Sequence, residues 1–430
     1  MSILFRNKLR VKLLDLFRRT NQLKVFKHYL SNQYNFSAEQ IDRYQNKKYR
    51  EIFEFHYFNN ASYRKFLNEK GFELSESYSF TDIPLLDKEY FKSNFDTHSI
   101  ISEALLSKSS GGSTGVPLSY FLSKESAEGV WPAIWRAFDE YNIAPCDNIA
   151  MIAGPSLFNN RSFSRRVYDW INGFYVISAF DLSDDALLNA YHRILEKKIK
   201  AIYGYTSSVL IFLQFLQRKN LKLPLKAIFT TSESFIPSVR RLARQYCECD
   251  VIDTYGANDG GVSSFECRYH VGYHLNFERC FVEIIDGEII LTDLLNTSSP
   301  FIRYKVGDCT KDERIEKEKC KCGRSLYRLV NVSGRVNQSI TDIDGTKIHT
   351  EFFSHIFKED QHILQYQVIQ KDLRLRVNLL HDADIDRTKY IEHYSLLIGR
   401  RFKMPFEVVF NEPIIKLANQ KTPILINKDA

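Results

Sequence analysis

The chain has 430 residues, of which 44% are hydrophobic and 26% charged, a size and composition that exclude a disordered or collagen-like protein and predict two or three folded domains. Residues 1–28 carry eight lysines and arginines and one acid, so this segment alone has the net charge of +7 of the whole chain. The rest of the chain is neutral and lacks the basic face expected of a nucleic-acid enzyme. We therefore expect no nucleic-acid partner.

The basic N-terminal segment is not expected to be a signal peptide, because charges interrupt each of its apolar runs. Eight cysteines are too few for a disulfide framework, so we expect a protein of the cytoplasm. The large apolar residues of the segment fall near one helical face, with cations around the others. They are Leu9, Leu13, Leu16, Phe17 and Leu23. This pattern favours a helix packed on its own domain, and it also fits a helix in peripheral contact with a membrane.

Residues 1–95 are predicted to be helical, with an amphipathic run from Tyr44 that stops at Gly71. From about residue 100 to 335, short apolar runs alternate with helical patterns. The clearest predicted strands are Ile149–Ala153, Ala201–Tyr205, Ala227–Thr231 and Val251–Tyr255. The helical patterns between them include Ser183–Ile199 and Pro237–Tyr246. This alternation predicts an α/β fold with a mostly parallel sheet, whose ligands bind at the carboxyl ends of the strands.

The pattern changes after Gly334. A strand at Ser339–Ile343, a turn at Asp344 and Gly345, and an α+β mixture up to Ala430 predict a separate small domain. We therefore divide the chain into a helical region of the large domain at 1–95, an α/β core at 96–336 and a C-terminal domain at 337–430.

A loop rich in glycine and hydroxyl groups lies at Ser109–Pro117, with the sequence Ser-Ser-Gly-Gly-Ser-Thr-Gly-Val-Pro. Its backbone amides and hydroxyls can surround phosphate oxygens. The same composition occurs in solvated linkers, which is the alternative interpretation. The loop is not a Walker loop, because no Gly-Lys-Ser/Thr closes it.

This loop resembles the phosphate-binding loop of the adenylate-forming superfamily, and later segments resemble other motifs of that family in the same order. These segments are Thr230–Glu233, Asp253–Asp259, Phe301–Asp308, Gly334–Gln338 and Ala418–Lys421. The resemblance is strongest to the branch of phenylacetate-CoA ligases and CapK-type capsular polysaccharide proteins, whose N-terminal signature is similar to Tyr63-Arg64 and Asp82–Lys88. It implies a large N-terminal adenylate-forming domain with mostly parallel sheets and a small, mobile C-terminal α+β lid.

The resemblance also implies an activity, namely ATP-dependent adenylation of a small carboxylic acid, followed by acyl transfer to a thiol or amine acceptor in surface polysaccharide biosynthesis. Lys421 and Asp259 would be catalytic, the latter by positioning Mg²⁺. Tyr255 would stack on adenine, and Asp308 would accept hydrogen bonds from the ribose. The other implied nucleotide-binding residues are Ser109, Ser110, Gly111, Gly112, Ser113, Thr114, Gly115, Ser232, Glu233, Gly256 and Arg335.

Some positions depart from the family pattern. Val116 replaces a common lysine, Asn337 and Gln338 replace the hinge acids, and Gln420 replaces a glycine. These changes leave open a catalytically inactive, zinc-stabilised scaffold of the same fold. The acceptor is also open between coenzyme A and an amine such as an amino sugar or amino acid. The absence of a basic run near the hinge favours the amine.

A second group of residues predicts a structural zinc site, formed by Cys267, His274, Cys320 and Cys322. Three thiols and one imidazole are a set that tetrahedral zinc prefers. The spacing differs from the usual Cys-x2-Cys knuckle, and His270 is a competing ligand. Buried, unligated thiols are the alternative, but lysines and arginine surround Cys320 and Cys322, which is unlike a core. Similar cysteine elements in the phenylacetate-CoA ligase-like branch favour the zinc interpretation.

Overall fold

The computed structural model describes residues 7–92, 98–109, 118–153, 163–179, 181–335, 339–357, 360, 362–381, 386–417 and 422–428. The chain forms two compact units, each built from three stretches. The first unit comprises Met1–Asn148, Ser162–Phe174 and Ile252–Val332, and the second comprises Ile149–Arg161, Tyr175–Val251 and Ser333–Ala430. The domain boundaries placed after residues 95 and 336 stay predictions.

The α-helices of the described residues are α1 Lys8–Arg18, α2 Gln22–Asn35, α3 Ala38–Asn59, α4 Ala61–Glu69, α5 Lys88–Lys92, α6 Lys124–Asp139, α7 Phe163–Asn172, α8 Asp184–Glu196, α9 Thr206–Arg218, α10 Ser238–Cys247, α11 Glu351–Phe357 and α12 Arg387–Gly399. The strands are β1 Ala104–Ser109, β2 Ser119–Ser123, β3 Ile149–Ala153, β4 Phe174–Ser178, β5 Ala201–Tyr205, β6 Ala227–Thr231, β7 Asp250–Ala257, β8 Val262–Phe265, β9 Tyr273–Leu275, β10 Cys280–Ile285, β11 Glu288–Asp293, β12 Tyr304–Cys309, β13 Ile315–Glu316, β14 Arg328–Leu329, β15 Gly334–Arg335, β16 Ser339–Thr341, β17 Lys347–His349, β18 Ile363–Lys371, β19 Arg374–His381, β20 Phe406–Phe410 and β21 Leu425–Asn427.

The second unit contains the parallel strands that the sequence predicts. β5 pairs in parallel with both β3 and β6, and the strand order is β6-β5-β3-β4. β3, β5 and β6 have the predicted bounds. Helices α8, α9 and α10 alternate with the strands, and apolar residues of all of them form one buried cluster, with Ile202, Phe212 and Val239 fully buried. The α/β fold class is confirmed.

The C-terminal part of the second unit is an α+β arrangement. β18 and β19 are antiparallel, β20 pairs in parallel with β19, and β21 pairs in parallel with β18. Phe353 of α11 and Ile398 of α12 lie in the core of this sheet. β16 and β17 form the predicted hairpin, in which the Gly345 amide donates to the carbonyl of Asp342 at 2.9 Å and Gly345 has a φ of 81°.

The first unit corrects two expectations. The helix predicted from Tyr44 to Gly71 is two helices, α3 and α4, because the side chain of Asn60 accepts a hydrogen bond from the amide of Tyr63 and starts a new helix there. The alternation of strands and helices, predicted up to residue 335, ends at about residue 250, and the prediction is wrong beyond that point. From 250 to 335, a fully described stretch, the chain forms strands and no α-helix.

These strands are largely antiparallel, in the orders β13-β14-β9-β8-β7 and β10-β11-β12-β15. The missed signal was the pair Asp286-Gly287, whose φ angles of 50° and 74° make the tight turn between β10 and β11.

Candidate functional site

A tyrosine and an aspartate of the first unit meet between two strands. Tyr255 lies on β7 and Asp308 on β12, and the Tyr255 hydroxyl donates a hydrogen bond to Asp308 Oδ2 at 3.0 Å. Burial, and then the carboxylate of Asp308, raise the pKa of Tyr255, so its phenol stays protonated and remains a donor. The structure therefore brings together the residues predicted to bind adenine and ribose.

The segment before α5 contacts the start of the strand that carries Asp308. The backbones of Leu86 and Tyr304 form a parallel bridge, and the Leu86 amide donates to the carbonyl of Arg303 at 3.0 Å. The Arg303 guanidinium donates to the carbonyl of Ile83 at 2.6 Å. The segment Asp82–Lys88, noted for its resemblance to the family signature, thus fixes the start of the strand that carries Asp308.

Asp259 lies buried in the turn after β7. Gly260 and Gly261 follow with φ angles of 125° and 78°, and a Cβ on Gly261 would lie 2.5 Å from the carboxyl carbon of Asp293, so this turn requires glycine. Asp259 also raises the pKa of Tyr255, after burial, Asp308 and Cys280. The charge of Asp259 therefore acts on the same tyrosine that is hydrogen-bonded to Asp308.

The predicted phosphate loop is bounded by paired strands. β1 and β2 are antiparallel, with Ser109 opposite Ser119. Residues 110–117, which include Ser110, Gly111, Gly112, Ser113, Thr114 and Gly115, lie outside the described residues. Lys421 also lies outside them, and for Ser109 and Arg335 only the backbone is described. The roles of these residues stay predictions.

Glu233 has partners that the sequence did not indicate. Glu233 follows β6 and Ser232, and the backbone of Ser232 has a positive φ of 69°. Its Oε2 accepts from the Ser207 amide at 2.8 Å, in the first turn of α9, and its Oε1 accepts from the Ser207 hydroxyl at 3.1 Å and from the Thr422 amide at 2.8 Å. Glu233 thus joins the start of α9 to the residue that directly follows Lys421.

The four predicted metal ligands converge in the first unit. Their ligand atoms all lie within 4.8 Å of one another. Cys267 Sγ lies 3.8 Å from Cys320 Sγ, and Cys322 Sγ lies 3.4 Å from His274 Nε2. A tetrahedral zinc ion separates two sulfur ligands by about 3.8 Å and a sulfur and a nitrogen by about 3.5 Å, so the spacing fits zinc. His270 instead contacts Glu266, at 3.2 Å.

Two of the thiols are hydrogen-bonded to each other. This bond is the first cause that lowers the pKa of the Cys322 thiol and the first cause that raises the pKa of the Cys267 thiol. The ligands come from two separate stretches, the β8–β9 region and the turn before β14, and Arg328 of β14 pairs with His274 of β9. Strand pairing therefore brings the ligands together.

Glu140, just after α6, forms ion pairs with both stretches that carry the predicted metal ligands. Its carboxylate accepts from Arg268 at 2.6 Å and from Arg324 at 3.0 Å. Arg268 follows Cys267 directly, and Arg324 lies two residues after Cys322. The side chain of Arg324 is fully buried, so this ion pair is shielded from solvent. A single carboxylate thus links the metal ligands to the helical part of the unit.

A cavity of about 590 Å³ lies in the second unit. Arg240, Arg241 and Arg244 of α10 line it, together with Phe357 and Asp360. Sequence reasoning missed these arginines, although three of them within five residues on one helix were the available signal. Guanidinium groups are well suited to phosphate, so the cavity is a candidate subsite for a phosphorylated ligand.

The fold is that of the adenylate-forming ligases. The chain superposes on 2-hydroxyisobutyryl-CoA ligase in the postadenylation state with a TM-score of 0.72 and 16% identity, covering 92% of this chain and 91% of the ligase. The chain also matches an open conformation of that ligase, in complex with 2-HIB-AMP and CoA. The TM-score of this match is 0.57 at 17% identity, and it covers 92% of this chain and 93% of the ligase.

Among curated proteins, the chain is similar to indoleacetate–lysine synthetase of Pseudomonas savastanoi. The two are 22% identical over 237 residues, which is 53% of this chain and 59% of the synthetase. The match thus spans less than two thirds of that relative. No protein-family profile matches the chain.

Proposed function

We propose that the protein is an ATP-dependent acid ligase that adenylates a small carboxylic acid and transfers the acyl group to a thiol or an amine. The observation that carries this proposal is the hydrogen bond between Tyr255 and Asp308, with Asp259 buried in the turn after the strand of Tyr255, in a fold shared over 92% of the chain with an acid ligase. The indoleacetate–lysine synthetase similarity supports the same class of reaction.

In this proposal, bound Mg²⁺-ATP supplies the adenylyl group, and pyrophosphate leaves as the carboxylate oxygen bonds to the α-phosphorus. The chain offsets the charge of the phosphates, since adenylation brings two anions together. Asp259 would hold Mg²⁺. Asp308 would accept hydrogen bonds from the ribose, with the Tyr255 hydroxyl keeping the carboxylate in place. Lys421 would add a cation to the transition state. Glu233 would fix the Thr422 amide and thereby the peptide group that Lys421 begins.

Exchange of labelled pyrophosphate into ATP, screened over carboxylic acids, tests the proposal. We expect Mg²⁺-dependent exchange with the correct acid, and its loss in Lys421→Ala with ATP binding retained, because the lysine acts in the transition state. Lys428→Ala, a change at an exposed lysine later in the same segment, is the control. Full exchange by Lys421→Ala would remove the role given to this lysine.

The acceptor remains part of the proposal. The names of the similar proteins include both a CoA ligase and a lysine-joining synthetase. The sequence favoured an amine because it shows no basic run near the hinge, whereas the arginines lining the 590 Å³ cavity favour a phosphorylated acceptor such as coenzyme A. Addition of coenzyme A or of amines to the reactions of those acids that support exchange distinguishes the two acceptors. Thioester formation as fast as adenylation would refute the assignment of an amine acceptor.

The remaining parts of the proposal rest on resemblance and on the metal cluster. The CapK-type resemblance supports a role in surface polysaccharide biosynthesis and a cytoplasmic location. The spacing of the Cys267 cluster supports structural zinc. The inactive scaffold is the competing function, and calorimetry with ATP decides between them: folded, zinc-loaded protein that binds no ATP would favour the scaffold.

A further inference from the structure

Four large apolar residues of α1 are exposed. Leu9 is 72% exposed and Leu16 is 78% exposed, and Leu13 and Phe17 are exposed as well. Val11 and Leu14 form the buried side of this helix instead. The interpretation that the predicted stripe packs against its own domain is therefore wrong for Leu9 and Leu16, whereas Leu23, the fifth residue of the stripe, is half-buried.

A second helix extends this exposed surface. Phe163 and Trp170 of α7 are 76% and 67% exposed, and their spacing of seven residues places them on one face of the helix. α7 packs on α1: the Arg10 guanidinium donates to the carbonyl of Trp170, and Phe17 lies 6.5 Å from Tyr168 between ring centroids. We call the six exposed residues the α1–α7 patch. They are Leu9, Leu13, Leu16, Phe17, Phe163 and Trp170.

Cations surround the α1–α7 patch. The exposed basic residues of the two helices are Lys8, Lys12, Arg19 and Arg166. The acids nearby are engaged within the protein: Asp15 accepts from the Gln22 amide at 2.7 Å, and Asp169 pairs with Arg165 at 3.0 Å. The surface that surrounds the patch is therefore positive.

Monomeric proteins seldom expose clusters of large apolar side chains, and those that do use them for binding. Leucine, phenylalanine and tryptophan surrounded by lysine and arginine match the interface of an anionic bilayer, where apolar side chains enter the headgroup region and cations meet lipid phosphates. Among the described residues, no helix is long and apolar enough to cross a bilayer.

We propose that the α1–α7 patch docks the protein onto an anionic lipid surface. Charge complementarity favours an anionic membrane over an apolar protein partner. The net positive charge of the chain lies in residues 1–28, which include α1, while the rest of the chain is neutral. The proposal does not depend on the proposed ligase activity, since the patch contains none of the residues assigned to it.

Co-sedimentation of the full chain with vesicles tests the proposal. We expect binding to vesicles of phosphatidylcholine with phosphatidylglycerol, weaker binding to phosphatidylcholine alone, and loss of binding at high salt. Leu16→Glu and Trp170→Ala, both at exposed positions, should each lower the bound fraction about tenfold. Leu396→Glu, at a leucine of α12 that is 57% exposed, is the matched control and should bind like the unaltered chain.

Three results would overturn the proposal. The first is equal, low sedimentation with both kinds of vesicle. The second is equal loss in Leu396→Glu and Leu16→Glu. The third is a concentration-dependent dimer, seen by analytical ultracentrifugation without lipid and lost in Leu16→Glu, because it would assign the patch to a contact between two copies of this chain. Melting curves of the variants show whether each is folded.

Discussion

Removal of one hydroxyl tests the nucleotide site directly. Tyr255→Phe keeps the ring that would stack on adenine and removes the hydrogen bond to Asp308 Oδ2, which is 3.0 Å long. The buried carboxylate then lacks this donor and is less well oriented to accept from ribose. We expect weaker ATP binding with little change in the fold.

The size of the effect follows from the charge of the acceptor. A hydrogen bond to a charged group contributes about 1.5–3 kcal/mol, and about 1.4 kcal/mol corresponds to a tenfold change in a binding constant. If ATP binding relies on the orientation of Asp308, the Kd for ATP should rise by roughly 10- to 150-fold. The upper figure applies when no other donor reaches Asp308.

Isothermal titration with ATP measures this change, and the chain offers a matched control. Tyr327 donates to Asp42 Oδ1 at 2.9 Å, another tyrosine–aspartate bond of the first unit, and neither residue is assigned to the nucleotide. Tyr327→Phe should leave the Kd for ATP unchanged. Unaltered ATP binding by Tyr255→Phe, or equal weakening in the two variants, would refute the reasoning.

Three further changes probe other parts of the molecule. Chelation should lower the melting temperature, and Cys322→Ser should reproduce the loss and abolish the response to chelator, whereas metal analysis well below one zinc per chain would remove the site. Glu233→Gln weakens the hydrogen bond to the Thr422 amide, so it should slow pyrophosphate exchange about tenfold and raise the Kd for ATP by a smaller factor. Equal changes in the exchange rate and in the Kd would contradict this expectation. Burial lowers the pKa of His56 to about 4, so the unfolded chain binds this proton more readily. Urea unfolding should therefore show stability falling by about 3 kcal/mol between pH 6.5 and 4, and His56→Gln should remove most of this slope.

The sequence could predict the parallel strands because each is a short apolar run, largely buried on both sides in Ala201–Tyr205, and such a run can be recognised without knowing its neighbours. It could not predict the antiparallel region between Val262 and Arg335 equally well. Strands of two to six residues there have mixed burial, and their partners are set by turns such as Asp286-Gly287.

The same division holds for the candidate site. The residue types of the metal cluster were readable in the sequence, but their convergence depends on the pairing of His274 with Arg328. The bond from Thr422 to Glu233 joins residues 189 positions apart, and no local pattern announces it. A long-range contact between a backbone amide and a side chain leaves no periodic signal, because the residue supplying the amide can be of any type.

The interleaving of the two units has a consequence for how the protein is made. Because the first unit takes its last stretch from Ile252–Val332, it cannot be completed until that stretch has left the ribosome. All four predicted metal ligands lie within this stretch. During synthesis, the ion pairs of Arg136 with Glu278 and of Glu140 with Arg324 therefore form late, and so does any metal site built from the four predicted ligands. Completion of the first unit and assembly of the predicted site thus depend on the same late-emerging residues.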